Sequence, residues 1–362
     1  GQCCTRIVAR GDREIGDTNY DPNNVTSSTP DITAVKTIIA FEAGKGSIIS
    51  GADVRAAYLN AYNNEFPVYL SMPPGLKKFD ENDPELVTFC NKAIYGRRSS
   101  GKLWQDYINN ILINEMGFRK VDYMSDVYRL SIHETNENFE LWDIEGEITI
   151  VRLVDDFLVS ALHRHETEAA QYRLNFRFNE ILSQHVEITT ADPGQPINFM
   201  GLTIEQNMVD MSITIDQKYK IETMQHNCGI SDQERLVPTP RSGKPIPVSQ
   251  KLPEGVTLTK QQQQYATDVG VAISLARASR ADCSEAAMAL APYARNPQQQ
   301  HIDELRRLLC YIVQTKDYGI KYDGPLALQP GLHPERPQIF VDANLMNGMA
   351  TIGVVVIVTG GV

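Results

Sequence analysis

Three aspartates stand where their carboxylates could hold metal ions. Asp53 closes the apolar segment 48–54, and the adjacent pair Asp155 and Asp156 lies between two apolar runs. Phosphoryl transfer by two Mg²⁺ ions about 4 Å apart needs carboxylates on rigid elements that bridge the ions. The alternative is a solvated acidic turn, which is the more frequent role of an Asp-Asp pair. The apolar flanks weigh against that alternative, because crowded carboxylates beside apolar residues need a cation to offset their charge.

The segments that carry these aspartates predict strands. Segment 48–54 predicts a buried strand, and the acidic pair is expected at a tight turn between two apolar strands. The alternating segments 139–143 and 147–154 predict a hairpin joined through Glu145 and Gly146. Further strands are expected at 5–10, 197–204 and 209–215, and helices at 34–43, 103–112 (capped by Ser99 or Ser100 and ended by Gly117), 165–182, 261–276, 284–294 and 301–315.

The composition divides the chain into three regions. Residues 1–215 mix predicted strands and helices, residues 216–320 are mostly helical, and residues 335–362 turn to strand character. Five prolines fall between residues 238 and 253, so the segment 237–256 is expected to be an extended linker. The predicted fold class is therefore α+β.

The charge balance restricts the choice of partners. A net charge of −11 weighs against nucleic-acid binding, because phosphate contacts need Lys and Arg, unless one groove is locally basic. Lys92, Arg97, Arg98 and Lys102 form such a basic cluster. We expect this cluster to line a template or nucleotide channel, with a basic surface loop as the alternative.

The cysteine pattern favours a reducing, intracellular setting, and the hydropathy bears on membrane spans. The six cysteines form no CxxC pair and no Cys/His spacing typical of zinc sites. No run of about 18 apolar residues is present, so we expect no membrane span and no membrane partner. The first residues have neither a signal-peptide pattern nor an initiator Met, so we expect a fragment of a longer protein.

The blocks around the aspartates resemble those of the copia-type LTR retrotransposon reverse transcriptases. Segment 148–156, ITIVRLVDD, resembles the catalytic hairpin of reverse transcriptases, and segment 53–60, DVRAAYLN, resembles the first catalytic strand of the copia group. Other blocks follow in the same order as in that family, namely RIVARG at 6–11, IYG at 94–96 followed by Trp104, FMGL at 199–202, and a helical segment that contains Tyr265, 295–297, His301, Arg307 and Tyr311.

The resemblance implies a right-hand polymerase fold. Fingers and palm would occupy 1–215, a helical thumb would occupy 216–325 with the Pro-rich linker 237–256, and 335–362 would begin an RNase H-like unit as a partial hairpin. The implied enzyme is an RNA- and DNA-templated DNA polymerase. Its implied partners are an RNA template, a DNA primer, dNTPs, and integrase or other parts of the same polyprotein. The implied location is the cytoplasm, in a virus-like particle, or the nucleus.

The resemblance also assigns roles to single residues. Asp53 and Asp155 would hold two Mg²⁺ ions, with Mn²⁺ as a substitute, Asp156 beside them and the Val54 carbonyl helping. Tyr58 matches the aromatic steric gate that crowds a ribose 2′-hydroxyl, with a plain core aromatic as the alternative. The other assignments are Arg6 and Arg10 at the triphosphate, Lys92 and Arg98 at the substrate, Phe199, Met200 and Gly201 as the primer grip, and Asp342 as the first metal ligand of the RNase H-like unit.

Two other functions stay open at this point. A domesticated or decayed copy would act as a non-catalytic nucleic-acid-binding or assembly protein. Ser99 and Leu153, which replace a Gln and an aromatic residue of the family, favour that function, whereas the three intact aspartates favour an active enzyme. The third is another palm-type nucleotidyltransferase that shares only the fold, and the helical segment after the prolines argues against it.

Overall fold

A computed structural model describes residues 7–63, 66–71, 87–135, 137–163, 172–231, 234, 236–247, 257–325, 338–346 and 349–357, the last two ranges by their backbone alone. The chain divides into two compact units, Gly1–Asp31 with Ser47–Pro193, and Ile32–Gly46 with Gly194–Val362. Both units combine helices with antiparallel strands, so the predicted α+β class is confirmed. Among the described residues, every helix is too short or too polar to cross a membrane.

The described chain contains short runs of strands separated by helices, with four consecutive helices in its second half. In chain order they are α1 (Ile32–Lys45), β1 (Ile48–Val54), β2 (Tyr69–Ser71), β3 (Val87–Phe89), α2 (Ser100–Asn110), β4 (Arg119–Lys120), β5 (Val127–Ile132), α3 (Phe139–Trp142), β6 (Gly146–Leu153), β7 (Asp156–His163), α4 (Arg173–Ser183), β8 (Ile188–Ala191), β9 (Ile197–Phe199), β10 (Leu202–Gln206), β11 (Ile213–Asp216), α5 (Lys218–Asn227), α6 (Lys260–Ala278), α7 (Ser284–Leu290), α8 (Gln299–Gln314), β12 (Ile320–Tyr322), β13 (Gln338–Met346) and β14 (Met349–Ile357). A π-helical turn, Ile111–Glu115, extends α2.

A six-stranded antiparallel sheet forms the centre of the first unit. Its strand order is β4-β5-β6-β7-β1-β8, and β2 pairs with β3 in a separate two-stranded sheet. The prediction for β1 is confirmed to the residue, because its apolar residues are buried between β7 and β8 while Asp53 at its end is exposed. Helices α2 and α4 cover the sheet with apolar residues such as Trp104 and Phe178. The aspartate-bearing strands therefore lie in the rigid interior of this unit.

The predicted hairpin of 139–143 with 147–154 is wrong. Residues 139–142 form the single helical turn α3, and Asp143 ends it with a left-handed φ of 52°. Strand β6 pairs instead with β5 on one side and β7 on the other. The helical turn is favoured over the strand because it buries the Trp142 ring completely. It also lets Trp142 Nε1 donate to the Met116 carbonyl at 3.1 Å.

The N-terminal segment makes backbone contacts without forming the predicted strand. Residues 7–10 have no regular structure, and positions 5 and 6 lie outside the described residues. The Ala9 N–H donates to the Tyr95 carbonyl at 2.7 Å, and the Gly11 N–H donates to the Gly96 carbonyl at 3.1 Å. A Cβ added at Gly96, whose φ is +89°, would lie 2.2 Å from the Ala9 carbonyl oxygen. Two glycine-containing blocks that are distant in sequence therefore cross where only glycine fits.

Gly96→Ala is expected to destabilise the protein by about 3 kcal/mol or more, because it adds a backbone clash to an unfavourable φ. Gly229→Ala is the matched control. Gly229 also has a positive φ, of 58°, but nothing lies within 4 Å of its added Cβ, so we expect a loss of about 1 kcal/mol. Urea unfolding measures both variants. Equal losses in the two would contradict the close crossing at Gly96.

Helices dominate the second unit, around a four-stranded antiparallel sheet of order β12-β11-β10-β9. The three helices predicted at 261–276, 284–294 and 301–315 are confirmed as α6, α7 with a following 3₁₀ turn, and α8. The segment predicted as one strand, 197–204, is instead the hairpin β9–β10, and β11 begins only at Ile213. Residues 237–247 of the Pro-rich linker have no helix or strand, and 248–256 lie outside the described residues.

The described part of the Pro-rich linker, residues 237–247, packs against the helices. Val237 and Ile246 contact the helical core, and the Pro247 carbonyl lies 2.7 Å from His301 Nε2. The His301 Nδ1 accepts the Gln298 N–H, so Nε2 carries the proton that binds Pro247. Beyond these helices, β13 and β14 form the expected terminal hairpin, in which Asp342 lies opposite Gly353.

Candidate active site

The three predicted aspartates meet at one end of two neighbouring strands. Strand β1 runs antiparallel to β7 with Asp53 opposite Asp156. Leu153 also lies opposite Asp156, so Val154 and Asp155 form a two-residue turn between β6 and β7. The Val54 N–H donates to the Asp155 carbonyl at 2.9 Å, which ties this turn to β1. The strands and the tight turn predicted from the apolar runs and their aspartates thus bring the three together.

The turn that carries Asp155 has a strained backbone. Val154 has a φ of +56°, in the left-handed region where a β-branched residue is rare. Such a conformation typically costs about 1–3 kcal/mol and persists only when its surroundings hold it. The Val154 carbonyl accepts hydrogen bonds from Trp104 Nε1 at 2.7 Å and from Arg152 Nη1 at 3.2 Å. These two buried donors hold the turn in place.

Crowding changes the acidity of the cluster. Asp53 is exposed, and Asp155 and Asp156 are half-buried. The pKa of Asp156 is raised to about 6 by its burial, then by the charge of Asp155, by a hydrogen bond that its protonated carboxyl donates to Asp53, and by the charge of Asp53. The cluster therefore concentrates negative charge that a cation would neutralise.

The donor chemistry of the cluster fits Mg²⁺ or Mn²⁺. Within the described ranges, no three His, Cys, Asp or Glu side chains are grouped so that together they could hold a metal ion. Asp53 and Asp156 face each other directly, and Asp155 acts on Asp156 through its charge. Carboxylate oxygens without His or Cys suit hard divalent cations rather than Zn²⁺. The pair Asp53 and Asp156, with Asp155 beside it, is the part of the site that could receive such ions.

Tyr58 lies next to this cluster. After β1 the chain turns through Ala56, whose φ is 51°, into the 3₁₀ turn Ala57–Asn60. The Tyr58 ring is half-buried against the core of the first unit, and its centroid lies 4.7 Å from that of Tyr95. Burial raises the pKa of Tyr58, and the charges of Asp155 and then Tyr95 raise it further. The electrostatic effect of Asp155 indicates that the Tyr58 hydroxyl lies near the acidic turn.

The predicted cationic residues contact other parts of the fold. Arg10 forms an exposed ion pair with Asp12 at 2.6 Å. Arg98 Nε donates to the Gly11 carbonyl at 2.9 Å, and its guanidinium lies 5.7 Å from the Tyr20 ring centroid. Lys92 Nζ lies 5.3 Å from the ring centroid of Tyr62, buried Arg97 pairs with Glu14, and Arg6 lies outside the described residues. Their assignment to substrate binding stays a prediction.

The remaining predicted residues belong to the second unit. Met200 and Gly201 make the turn between β9 and β10 with φ values of 53° and 73°, and Phe199 before them is buried. These residues therefore form a tight hairpin within the segment predicted as one strand. Asp342 lies in β13. The roles of these residues as primer grip and RNase H remnant stay predictions.

Sequence reasoning missed Arg152 and its partner Asp126. Arg152 is 2% exposed, its Nη2 forms a buried ion pair with Asp126 Oδ1, and its N–H donates to the Asp126 carbonyl at 2.9 Å. The available signal was an arginine inside an otherwise apolar central strand, where a charge needs a partner.

The chain matches one known protein family over most of its length. The family described as reverse transcriptase (RNA-dependent DNA polymerase) matches residues 1–239 of the 362 in the chain. The chain belongs to the reverse transcriptase family. Its enzyme class is that of an RNA-directed DNA polymerase, and the matched residues include Asp53, Asp155 and Asp156.

Transposon proteins are among its relatives, which confirms the predicted copia-type retrotransposon reverse transcriptase. The chain is 27% identical over 271 residues to a transposon Ty5-1 protein of Saccharomyces cerevisiae, covering 75% of this chain and 78% of that protein. It is 25% identical over 321 residues to the retrovirus-related Pol polyprotein from transposon RE2 of Arabidopsis thaliana, covering 87% of this chain and 19% of the polyprotein. For the Ty1-JR2 Gag-Pol polyprotein of Saccharomyces cerevisiae, identity is 22% over 325 residues, 86% of this chain and 16% of the polyprotein. This reverse transcriptase region thus spans less than a fifth of those two polyproteins.

Proposed function

We propose that this chain copies RNA and DNA templates into DNA by two-metal nucleotidyl transfer at Asp53, Asp155 and Asp156. The observation that carries the proposal is the antiparallel register that sets Asp53 opposite Asp156, with Asp155 in the adjoining turn. Carboxylates on the ends of two central strands have the rigidity that in-line displacement requires.

In this mechanism the primer 3′-hydroxyl attacks the α-phosphate of a dNTP in line, and pyrophosphate leaves. Bound Mg²⁺ or Mn²⁺ would supply charge neutralisation at the attacking and leaving oxygens. The protein's own work is positioning. Asp53 and Asp155 would hold the cations, with Asp156 and the Val54 carbonyl beside them, and the Tyr58 ring would pack beneath the sugar of the incoming nucleotide.

The finer assignments belong to the same proposal. Fingers and palm fall in 1–215, the thumb in 216–325, and the hairpin within 335–362 begins an RNase H-like unit at Asp342. The tight Met200–Gly201 turn supports a primer-grip role for 199–201. The partners are an RNA template, a DNA primer, dNTPs and other parts of a Gag-Pol-type polyprotein such as an integrase. We place the protein in the cytoplasm within a virus-like particle, or in the nucleus.

Primer extension on an RNA template tests the proposal. With Mg²⁺ or Mn²⁺, the purified chain should extend a DNA primer with dNTPs, and extension should stop when the cation is chelated. A folded chain that binds the RNA–DNA hybrid but adds no nucleotide with either cation would favour the non-catalytic binding function instead.

A further inference from the structure

Both peptide planes next to Asp155 are fixed by hydrogen bonds. On one side, the Val154 carbonyl accepts from Trp104 Nε1 at 2.7 Å and from Arg152 Nη1 at 3.2 Å. On the other side, the Asp155 carbonyl accepts the Val54 N–H at 2.9 Å. Since these planes set the direction of the Cα–Cβ bond, they set the direction in which the Asp155 side chain leaves the main chain and so restrict where its carboxylate can lie. The strained φ of Val154 shows that the turn does not hold this geometry by its own preference.

The donors to the Val154 carbonyl are themselves fixed. Trp104 is 1% exposed and packs in the core of the first unit. Arg152 is held by its ion pair with Asp126, whose side chain is 1% exposed. A buried ion pair in an apolar strand contributes little net stability compared with apolar residues of the same size. Its geometric effect is to aim one guanidinium nitrogen at Asp126 and another at the Val154 carbonyl.

We infer that Trp104 and Arg152 are positioning residues for the Asp155 carboxylate, and that Asp126 aligns Arg152. They act through the main chain of the Val154–Asp155 turn. For its effect on catalysis this inference rests on the proposed polymerase function. For its effect on the turn it rests only on the hydrogen bonds and the strained φ.

Trp104→Phe tests the inference, because it retains most of the ring and removes the donor. We expect kcat for primer extension to fall about tenfold while KM for dNTP changes less than about twofold. The Mg²⁺ concentration for half-maximal rate should rise. Independently of activity, amide hydrogen exchange in residues 153–157 should accelerate, because the Val154 carbonyl has lost its strongest donor.

Trp142→Phe is the matched control. Trp142 is buried in the same core and also donates its Nε1 proton to a backbone carbonyl, that of Met116, outside the turn. We expect a comparable loss of thermal stability, a kcat within about twofold of the parent, and unchanged exchange at 153–157. Equal loss of kcat in both variants, with parental exchange at the turn, would overturn the inference.

Arg152→Lys tests the second donor to the Val154 carbonyl and still leaves a positive charge to pair with the buried Asp126 carboxylate. Lysine keeps a cation near Asp126 but lacks the planar fork that reaches the carbonyl of Val154 as well. A lower kcat with faster exchange at 153–157 supports the inference, and parental values of both contradict it for Arg152. If the parent chain makes no DNA at all, the proposed function fails, and the exchange measurements still decide whether Trp104 and Arg152 hold the turn.

Discussion

Asp155→Asn is expected to reduce DNA synthesis by about 1,000-fold or more while leaving the fold intact. Asparagine lacks the negative charge through which Asp155 would bind divalent cations. A charge positioned in this way supplies a large part of the rate acceleration in two-metal catalysis. The fold should survive because the turn is anchored through the Asp155 main-chain carbonyl, which asparagine retains. Removing one of three crowded negative charges should also leave thermal stability equal to or above that of the parent.

Single-nucleotide extension of a DNA primer on an RNA template measures this loss, with circular dichroism and thermal unfolding as checks on the fold. Asp192→Asn is the matched control. Asp192 is an exposed carboxylate of the same unit, just after β8, and its variant should extend primers at the parental rate. An Asp155→Asn variant that also keeps the parental rate would remove Asp155 from the active site.

The sequence predicts the core of the site because that part depends on local pattern. Strand β1 is a continuous apolar run that ends in a carboxylate, and the acidic pair interrupts two apolar runs, so both strands and their turn are evident. Helix α8 is equally evident, since its buried residues recur at helical spacing. The ion pair between Arg152 and Asp126, which helps to hold the turn, is not evident from the sequence. Asp126 is 26 residues from Arg152, and its left-handed φ of 55° has no clear sequence signal.

The misassigned segment 139–143 and the basic cluster show the same limit of prediction from local sequence pattern. Five alternating residues at 139–143 are compatible with a strand and with one helical turn, and only the burial of Trp142 decides between them. Arg97 looks like part of a nucleic-acid surface in the sequence, yet it is buried against Glu14, which is 83 residues away. Long-range partners of this kind arise from the tertiary fold, which periodicity and composition do not encode.

Tyr58 is the residue whose substitution should change substrate choice most. Its ring packs on Tyr95, and burial followed by the charge of Asp155 raises its pKa, so Tyr58 lies near the acidic turn at the end of β1. A ribose 2′-hydroxyl adds one oxygen to the sugar, and an aromatic ring packed beneath the sugar leaves no room for it. Because such discrimination is steric exclusion, it can exceed what one attractive contact supplies.

Tyr58→Val should therefore lower the preference for dNTP over rNTP by at least about tenfold, which corresponds to about 1.4 kcal/mol of transition-state free energy. The preference is measured as the ratio of kcat/KM for dNTP to kcat/KM for rNTP on one template. Overall activity should fall as well, since dNTP positioning loses a large ring. Tyr58→Phe keeps the ring and should keep the ratio. Tyr107→Val removes a similar ring packed on the same core, whose pKa is raised by burial, Glu115 and Tyr62 rather than by Asp155, so it should lower stability and spare the ratio. An unchanged ratio in a Tyr58→Val enzyme that still polymerises would mean that Tyr58 serves only in packing.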